Sequence, residues 1–291
     1  MRISSRALVL VAAIVGSLAG LSGYASAQAP FQPACQNPQA RHIEIFYVNG
    51  VTTSLDEARI NAGKLEQEFV NQIGSMPAAL QAVCYDFRFN YNPTHGELKD
   101  FAEASQQRFG LDPTKFWETL ESFTVVNNLL PFLKGPMTDA NQIDAATIQR
   151  HAARYRETIL PPSCRSVLIV PHSQGNLYTN AAFDQTFATA PVPPAGTLKV
   201  VGVATPASLV SGNGRYRSSS GDLLINTIRL TLPTTSVANT DWGPTLLNIL
   251  TPQYSGGHSF IGYLSFNPSR TDIFNDIRAS LTELLATNPC P

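Results

Sequence analysis

The chain has 291 residues, of which 43% are hydrophobic and 14% charged; this suffices for one large domain or two small ones and is too apolar for a disordered protein. With 20 Lys and Arg against 21 Asp and Glu the net charge is −1, which excludes the strongly basic surface that nucleic acid would need in a partner.

In chain order, Arg2 and Arg6 come first, then an apolar run over 7–21, then Ala25, Ser26 and Ala27. That succession predicts a secretory signal peptide over residues 1–27, cleaved after Ala27. About 20 apolar residues are needed to span a bilayer. This run is shorter and is broken by Gly16, Ser17 and Gly20, so no stable membrane anchor is expected. Loss of Arg2 and Arg6 leaves 18 basic against 21 acidic residues, a balance of −3. Residues 28–291 are then expected to form a single domain that is secreted or periplasmic.

Residues 43–48 (IEIFYV) form a β-rich run that stops at Asn49 and Gly50, a turn pair. Ser54 and Glu57 match a capping box. Behind them Leu55, Ala58, Ala62, Leu65, Phe69 and Ile73 recur at helical spacing, predicting one buried face. A second strand is predicted at 83–89 (VCYDFRF), a third at 166–170 (SVLIV) running into a helix that ends near Phe187, and a fourth at 198–203 (LKVVGV). Strands alternating with helices predict an α/β fold: a mostly parallel sheet with helices on both faces.

Two stretches depart from this alternation. Residues 90–165 read as three helices, roughly 96–109, 113–133 and 139–158, which is too much chain for one crossover. They form either a helical insertion that caps a site or extra scaffolding. Residues 208–252, rich in Ser, Thr, Gly and Pro, predict loops with short strands.

Cys35, Cys84, Cys164 and Cys290 all follow the cleavage point, and no Cys-x-x-Cys pair occurs. An even count in an exported chain predicts two structural disulfides rather than a metal site. Cys35, Cys84 and Cys164 precede or begin strands, at the amino edge of a parallel sheet, and the last helix should return Cys290 to that edge. The expected pairs are Cys35 with Cys84 and Cys164 with Cys290.

Pro171, His172, Ser173, Gln174 and Gly175 follow the third strand and precede helical sequence. Ser173 is thereby placed on a tight strand-to-helix turn with the Gln174 N–H at a helix N-terminus, ready for a developing oxyanion. Gly175 is required because a side chain there would strike neighbouring backbone. With these residues the chain resembles the α/β-hydrolase superfamily, in particular lipase- and esterase-like members whose nucleophile elbow reads His-Ser-Gln-Gly. Pro171 stands where the family pattern has glycine, at a position expected to be leaving the ladder.

The resemblance implies a serine hydrolase whose base and acid follow the nucleophile. His42 should lie at the far end of the sheet, His151 in the insertion helices and His95 in a loop, while His172 should point away from Ser173. His258, in the Gly-rich stretch before the last helix, matches the family's base. Among acids between 173 and 258, Asp184 belongs to the helix after the turn. Asp222, which follows a short strand-like stretch at 215–219 and opens an apolar run, is preferred; Asp241 is its rival. The second oxyanion donor should be the N–H of Gly50 or Val51, where Asn49 replaces the His of the lipase His-Gly segment. A small-molecule or lipid ester is the implied substrate, with no cofactor and no metal. Phe116, Trp117, Phe123, Leu129, Leu130 and Phe132 are either an acyl pocket beneath a cap or helix core. Thioesterase, acyltransferase or peptidase chemistry would keep the same triad. A non-catalytic exported binding protein is expected instead if Ser173 is buried or His258 lies out of its reach.

Overall fold

The computed structural model describes residues 33–37, 39–50, 53–92, 145–231, 235–241 and 257–290. A 3-10 turn, Pro33–Gln36, leads into β1 (His42–Val48), α1 (Leu55–Ile73), the short α2 (Ala78–Gln81) and β2 (Cys84–Asn90). After them come α3 (Ala145–Ile159), β3 (Ser166–Pro171), α4 (Gly175–Ala188) and β4 (Leu198–Val203). A 3-10 turn, Ser211–Asn213, precedes β5 (Arg215–Arg217), and α5 (Leu223–Thr231), α6 (Phe260–Ser265) and α7 (Ser269–Leu285) complete the described elements. The α/β expectation holds: the five strands pair in parallel in the order β2-β1-β3-β4-β5.

Alternation along the strands divides the core between the two faces of the sheet. Ile43, Ile45 and Tyr47 of β1 turn to the side covered by Ala58, Leu65 and Phe69 of α1 and by Ile273, Ile277 and Leu281 of α7. Phe46 and Val48 turn to the other side, against Tyr155 and Ile159 of α3 and Ala182 of α4. With both faces covered, all six residues of β3 are buried, which is why that strand reads as a continuous apolar run. Each such side chain contributes about 1.5–3 kcal/mol by leaving water. α1 starts on the capping box: the Glu57 N–H donates to Ser54 Oγ at 3.2 Å and the Ser54 N–H to the Glu57 carboxylate at 2.8 Å. Leu55, expected on the buried face, is exposed because it opens the helix before the sheet is reached.

The sequence expectations need correcting at three places. The described part of the helix expected at 139–158 is α3. Its buried face, with Tyr155 and Ile159 at 0% exposure, packs on the sheet beside α4, so this helix covers the sheet between β2 and β3 as a crossover helix does. The helices expected at 96–109 and 113–133, with Phe116, Trp117, Phe123, Leu129, Leu130 and Phe132, lie outside the described residues. In the stretch expected to hold only loops and short strands, α5 spans nine residues. Its cause is local: Asp222 Oδ1 accepts the Ile225 N–H at 3.0 Å, an N-cap ahead of an apolar run. Third, Pro171 has not left the sheet. It pairs with Val48 of β1, and the pairing continues as the His172 N–H donates to Val48 O at 2.9 Å and the Ser173 N–H to Val203 O at 3.0 Å. Proline is tolerated because the β3–β4 ladder, regular from Val167 to Ile169, resumes only at the His172–Val203 bridge.

Both expected disulfides are present, Cys35–Cys84 and Cys164–Cys290, with Cα atoms 4.6 and 5.4 Å apart. Among the described residues no helix is long and apolar enough to cross a membrane. Both facts are compatible with an extracellular or periplasmic protein. The expected signal segment, 1–27, lies outside the described residues.

This strand order creates a particular place in the molecule. The chain steps outward from β1 to β2, then crosses back past β1 to β3 and proceeds the other way. The loops leaving β1 and β3 therefore diverge at neighbouring carboxyl ends, the switch point where parallel sheets open a crevice. Asn49 and Gly50 leave β1 there, and His172 and Ser173 leave β3.

Candidate active site

Ser173 has φ +54°, a left-handed conformation that costs a non-glycine residue about 1–3 kcal/mol and persists only where surroundings enforce it. The enforcing contacts are visible on both sides. Val48 and Val203 hold the chain up to Ser173, and immediately beyond it the Gly175 N–H donates to His172 O at 2.9 Å and the Asn176 N–H to Ser173 O at 3.0 Å, opening α4. The bend closes only with small neighbours. A Cβ on Gly175 would stand 2.6 Å from Val48 O and 2.7 Å from Asn49 O, and one on Gly50 would stand 2.5 Å from Ser173 Cβ. Gly50 is thus needed first for the approach of Ser173 itself.

His258 reaches this bend from the other end of the chain. Its Nε2 lies 2.8 Å from Ser173 Oγ, and its Nδ1 lies 2.9 and 3.2 Å from Asp222 Oδ2 and Oδ1. A carboxylate only accepts, so Nδ1 carries the proton, and the Nε2 lone pair accepts from the Ser173 hydroxyl. The approach depends on Gly257, whose φ is +86° and where a Cβ would collide with Gly221 O. Through that close passage the loop bearing His258 lies directly on the turn bearing Asp222. Ser173, His258 and Asp222 are 4%, 7% and 0% exposed. Asp222 sits after β5, and besides His258 it accepts from the Ile225 N–H and, at 2.9 Å, from the Tyr263 hydroxyl.

Of the two acids considered, only Asp222 meets His258. Asp241 lies at the surface, where its Oδ1 accepts from Ser220 Oγ at 2.8 Å. Gln174 leads into α4 and Gly50 packs against the Ser173 side chain, so both of the expected oxyanion donors that are described adjoin Ser173. Val51 lies outside the described residues. Burial of Ser173 is one of the two features expected of a non-catalytic protein; the other, separation of His258 from its hydroxyl, is not found.

Several supporting residues escaped the sequence reading. His172, expected to point away as a mere neighbour, is buried with its ring centroid 4.9 Å from that of His258, and its Nε2 lies 2.7 Å from His258 O. A carbonyl cannot donate, so the His172 Nε2 holds a proton and ties down the backbone of His258. Burial, and then the neighbouring His258, hold His172 well below the usual imidazole range, so it is neutral. Asn176, in the first turn of α4, donates through Nδ2 to Ser173 O at 2.9 Å and Val203 O at 3.1 Å, clamping the bend to β4. Asn49 and Asn92 clasp each other: Asn49 Nδ2 donates to Asn92 O at 3.0 Å, the Asn92 N–H to Asn49 Oδ1 at 2.8 Å, and Asn92 Nδ2 to Asn49 O at 2.7 Å. This locks the loop after β1 to the end of β2. In the sequence Asn49 is a turn former standing where lipases have the His of a His-Gly segment, and its partner is 43 positions away in the chain, beyond any local pattern.

Two of the remaining histidines stand apart, and His95, expected in a loop, lies outside the described residues. His42 begins β1 at the amino edge, 3.5 Å from the Asp86 carboxylate, and His151 lies buried in α3. His42, Cys84 and Asp86 bring three potential metal-ligand atoms within 4.8 Å of one another, but the Cys84 sulfur is bonded to Cys35 and offers no thiolate. Comparison of the chain with protein-family models, with curated proteins and with solved structures gives no match.

Proposed function

We propose that this chain is an exported serine hydrolase of the α/β-hydrolase kind, cleaving carboxylic esters of small molecules or lipids. One observation carries the reading: an unbroken run of hydrogen bonds from Ser173 Oγ through His258 to Asp222, with the serine held at positive φ on the switch-point bend. Serine hydroxyls are weak nucleophiles, and a positioned imidazole oriented by a carboxylate is the arrangement that activates them. Nothing in the packing of a stable core requires these three residue types in that order at a strained bend.

In this mechanism Ser173 Oγ attacks the ester carbonyl carbon as its proton passes to His258 Nε2. The negative charge moves to the carbonyl oxygen, where backbone N–H groups of Gln174 and of Gly50 or Val51 receive it. Removing one such donor costs about 3 kcal/mol of barrier. The C–O bond to the alcohol then breaks as Nε2–H returns the proton to the leaving oxygen. Water, deprotonated by the same nitrogen, releases the acid and restores Ser173. Asp222 holds the imidazole in the Nδ1–H form through its hydrogen bonds.

A second reading, a binding protein without turnover, is favoured by the 4% exposure of Ser173. Exclusion of water also serves acyl transfer, so burial alone does not decide. The deciding experiment is labelling with a fluorophosphonate. The proposal expects the wild-type protein to be labelled and Ser173→Ala not; equal signals from the two, or none from either, refute it. Turnover of p-nitrophenyl esters of increasing acyl length then distinguishes esterase from lipase preference.

A further inference from the structure

We propose that Tyr263 is a positioning residue for this site, holding and moderating the Asp222 carboxylate so that His258 is set as a base. The inference rests on the hydrolase reading and deepens it. Tyr263 lies on α6, which begins two residues after His258, so one short segment delivers both the imidazole and the clamp on its partner. The Tyr263 hydroxyl donates to Asp222 Oδ2 at 2.9 Å and accepts the Ser219 N–H at 2.8 Å. With its acceptor site filled by the backbone of β5's trailing turn, the hydroxyl hydrogen is directed at the carboxylate.

Asp222 is fully buried and accepts three donors: the Ile225 N–H on Oδ1, the Tyr263 hydroxyl on Oδ2, and His258 Nδ1–H across both oxygens. A buried carboxylate shares its charge among its donors. The hydroxyl and the imidazole converge on the same Oδ2, so each weakens the other's pull. Removing the hydroxyl concentrates negative charge toward His258, strengthens the Nδ1–H bond and favours the protonated ring, in which Nε2 cannot accept from Ser173. It also frees the carboxylate to rotate. Among the described residues, Asp222, Arg229 and His172, whose ring centroid is 6.5 Å away, are ionisable groups near Tyr263. Burial and the Asp222 charge keep the phenol protonated, and therefore a donor, throughout the working range.

The test uses the full chain in three forms: wild type, Tyr263→Phe, and a protein with 3-fluorotyrosine placed at 263 alone. Tyr263→Phe should lower kcat about tenfold with KM within about twofold, and move the acidic limb of kcat/KM to higher pH by about half a unit. Phenylalanine also leaves the Ser219 N–H without its acceptor, which reduces stability whatever the hydroxyl does for Asp222. The fluorinated residue keeps both hydrogen bonds and is a stronger donor, so it should move the same limb to lower pH; a packing role cannot produce opposite signs. Proton NMR of the His258 Nδ1–H, read without turnover, should show the resonance further downfield in Tyr263→Phe than in wild type. An acidic limb and a resonance both unmoved in the two variants overturn the proposal. Absence of fluorophosphonate labelling in the wild type would instead refute the hydrolase reading, and the resonance would still decide the part played by Tyr263.

Discussion

Replacing Asp222 with Asn perturbs the hydrogen-bond run at its most buried member while leaving the surrounding shape intact. The amide keeps an oxygen for the Ile225 N–H, now 3.0 Å from Oδ1, so the start of α5 survives. Its NH2 group takes the place of Oδ2, which lies 2.9 Å from His258 Nδ1. Two N–H donors cannot face each other at that distance, so the imidazole moves its proton to Nε2. Nε2 then has no lone pair for the Ser173 hydroxyl 2.8 Å away, and the serine loses its base. A change of tautomer of this kind costs about 10⁴ in kcat, which is about 5 kcal/mol of barrier. Asp241→Asn supplies the comparison: among the described residues its exposed carboxylate accepts from Ser220 Oγ, an amide oxygen can do the same, and kcat should stay within about twofold of wild type. The assay is kcat/KM on p-nitrophenyl butyrate, with thermal unfolding confirming that both variants fold. A loss below about tenfold in Asp222→Asn, or a larger loss in Asp241→Asn, would refute the assignment.

Gly175→Ala places a methyl group against two carbonyl oxygens of the loop leaving β1. It should abolish fluorophosphonate labelling and destabilise the fold by about 1–3 kcal/mol; in contrast Gly63→Ala, where nothing lies within 4 Å of the new Cβ, should stabilise α1 by about 1 kcal/mol in guanidinium titrations. His172 is neutral in the folded protein because burial depresses its proton affinity, whereas in the unfolded chain it binds a proton below pH 6.5. Its contribution to stability is therefore complete above pH 6.5 and declines as the pH falls toward the lowered folded value, by up to about 1.4 kcal/mol per unit. Chemical denaturation at pH 7.5 and 5.5 should show a shallower loss for His172→Gln than for wild type, and equal losses would contradict the burial argument. Removing the Cys164–Cys290 bridge, which closes 126 positions, should cost more than removing Cys35–Cys84, which closes 49. Chain entropy sets ceilings of about 5 and 4 kcal/mol for the two, and melting of the paired Cys→Ala variants would reveal a reversed order.

The parallel sheet was legible because two-sided burial leaves an unmistakable mark: runs such as SVLIV have no polar alternation to confuse, and each is bounded by a turn or a cap. The bend at Ser173 was legible for a related reason, since strand, small residues and helix must follow one another within a few positions. α5 was missed because Asp222 serves two ends at once. Its side chain caps a helix through Oδ1 while meeting His258, and a reading that assigns a carboxylate one role overlooks the other. The nature of α3 was hidden by its setting. A crossover helix has the same periodicity as an inserted one, and only the faces it touches tell them apart.

What stayed illegible shares a physical form. Asn49 with Asn92, Asn176 with Val203, His172 with the His258 carbonyl and Tyr263 with Asp222 are all contacts between a polar side chain and a group far away in the chain. Each such residue type is common in turns and helices, so none announces its partner. Yet these contacts hold the geometry that the three legible residues need: one fixes the loop beside Gly50, one the bend, one the backbone of the imidazole and one its carboxylate. Each joins two different segments at or near the carboxyl edge of the sheet, where the backbone ladders end and no longer fix relative positions. Side-chain hydrogen bonds must take over that task wherever groups from β1, β3 and β5 and from the loop ahead of α6 are to meet within hydrogen-bond distance. A site assembled this way should be more sensitive than the core beneath it. Asn176→Ala, which removes the side-chain hydrogen bonds to Ser173 O, Val203 O and, at 3.5 Å, Pro171 O, should lower the fluorophosphonate labelling rate at least tenfold while the melting temperature falls by only a few degrees. A variant that melts early yet labels at the wild-type rate would show instead that the bend is held by the strands alone.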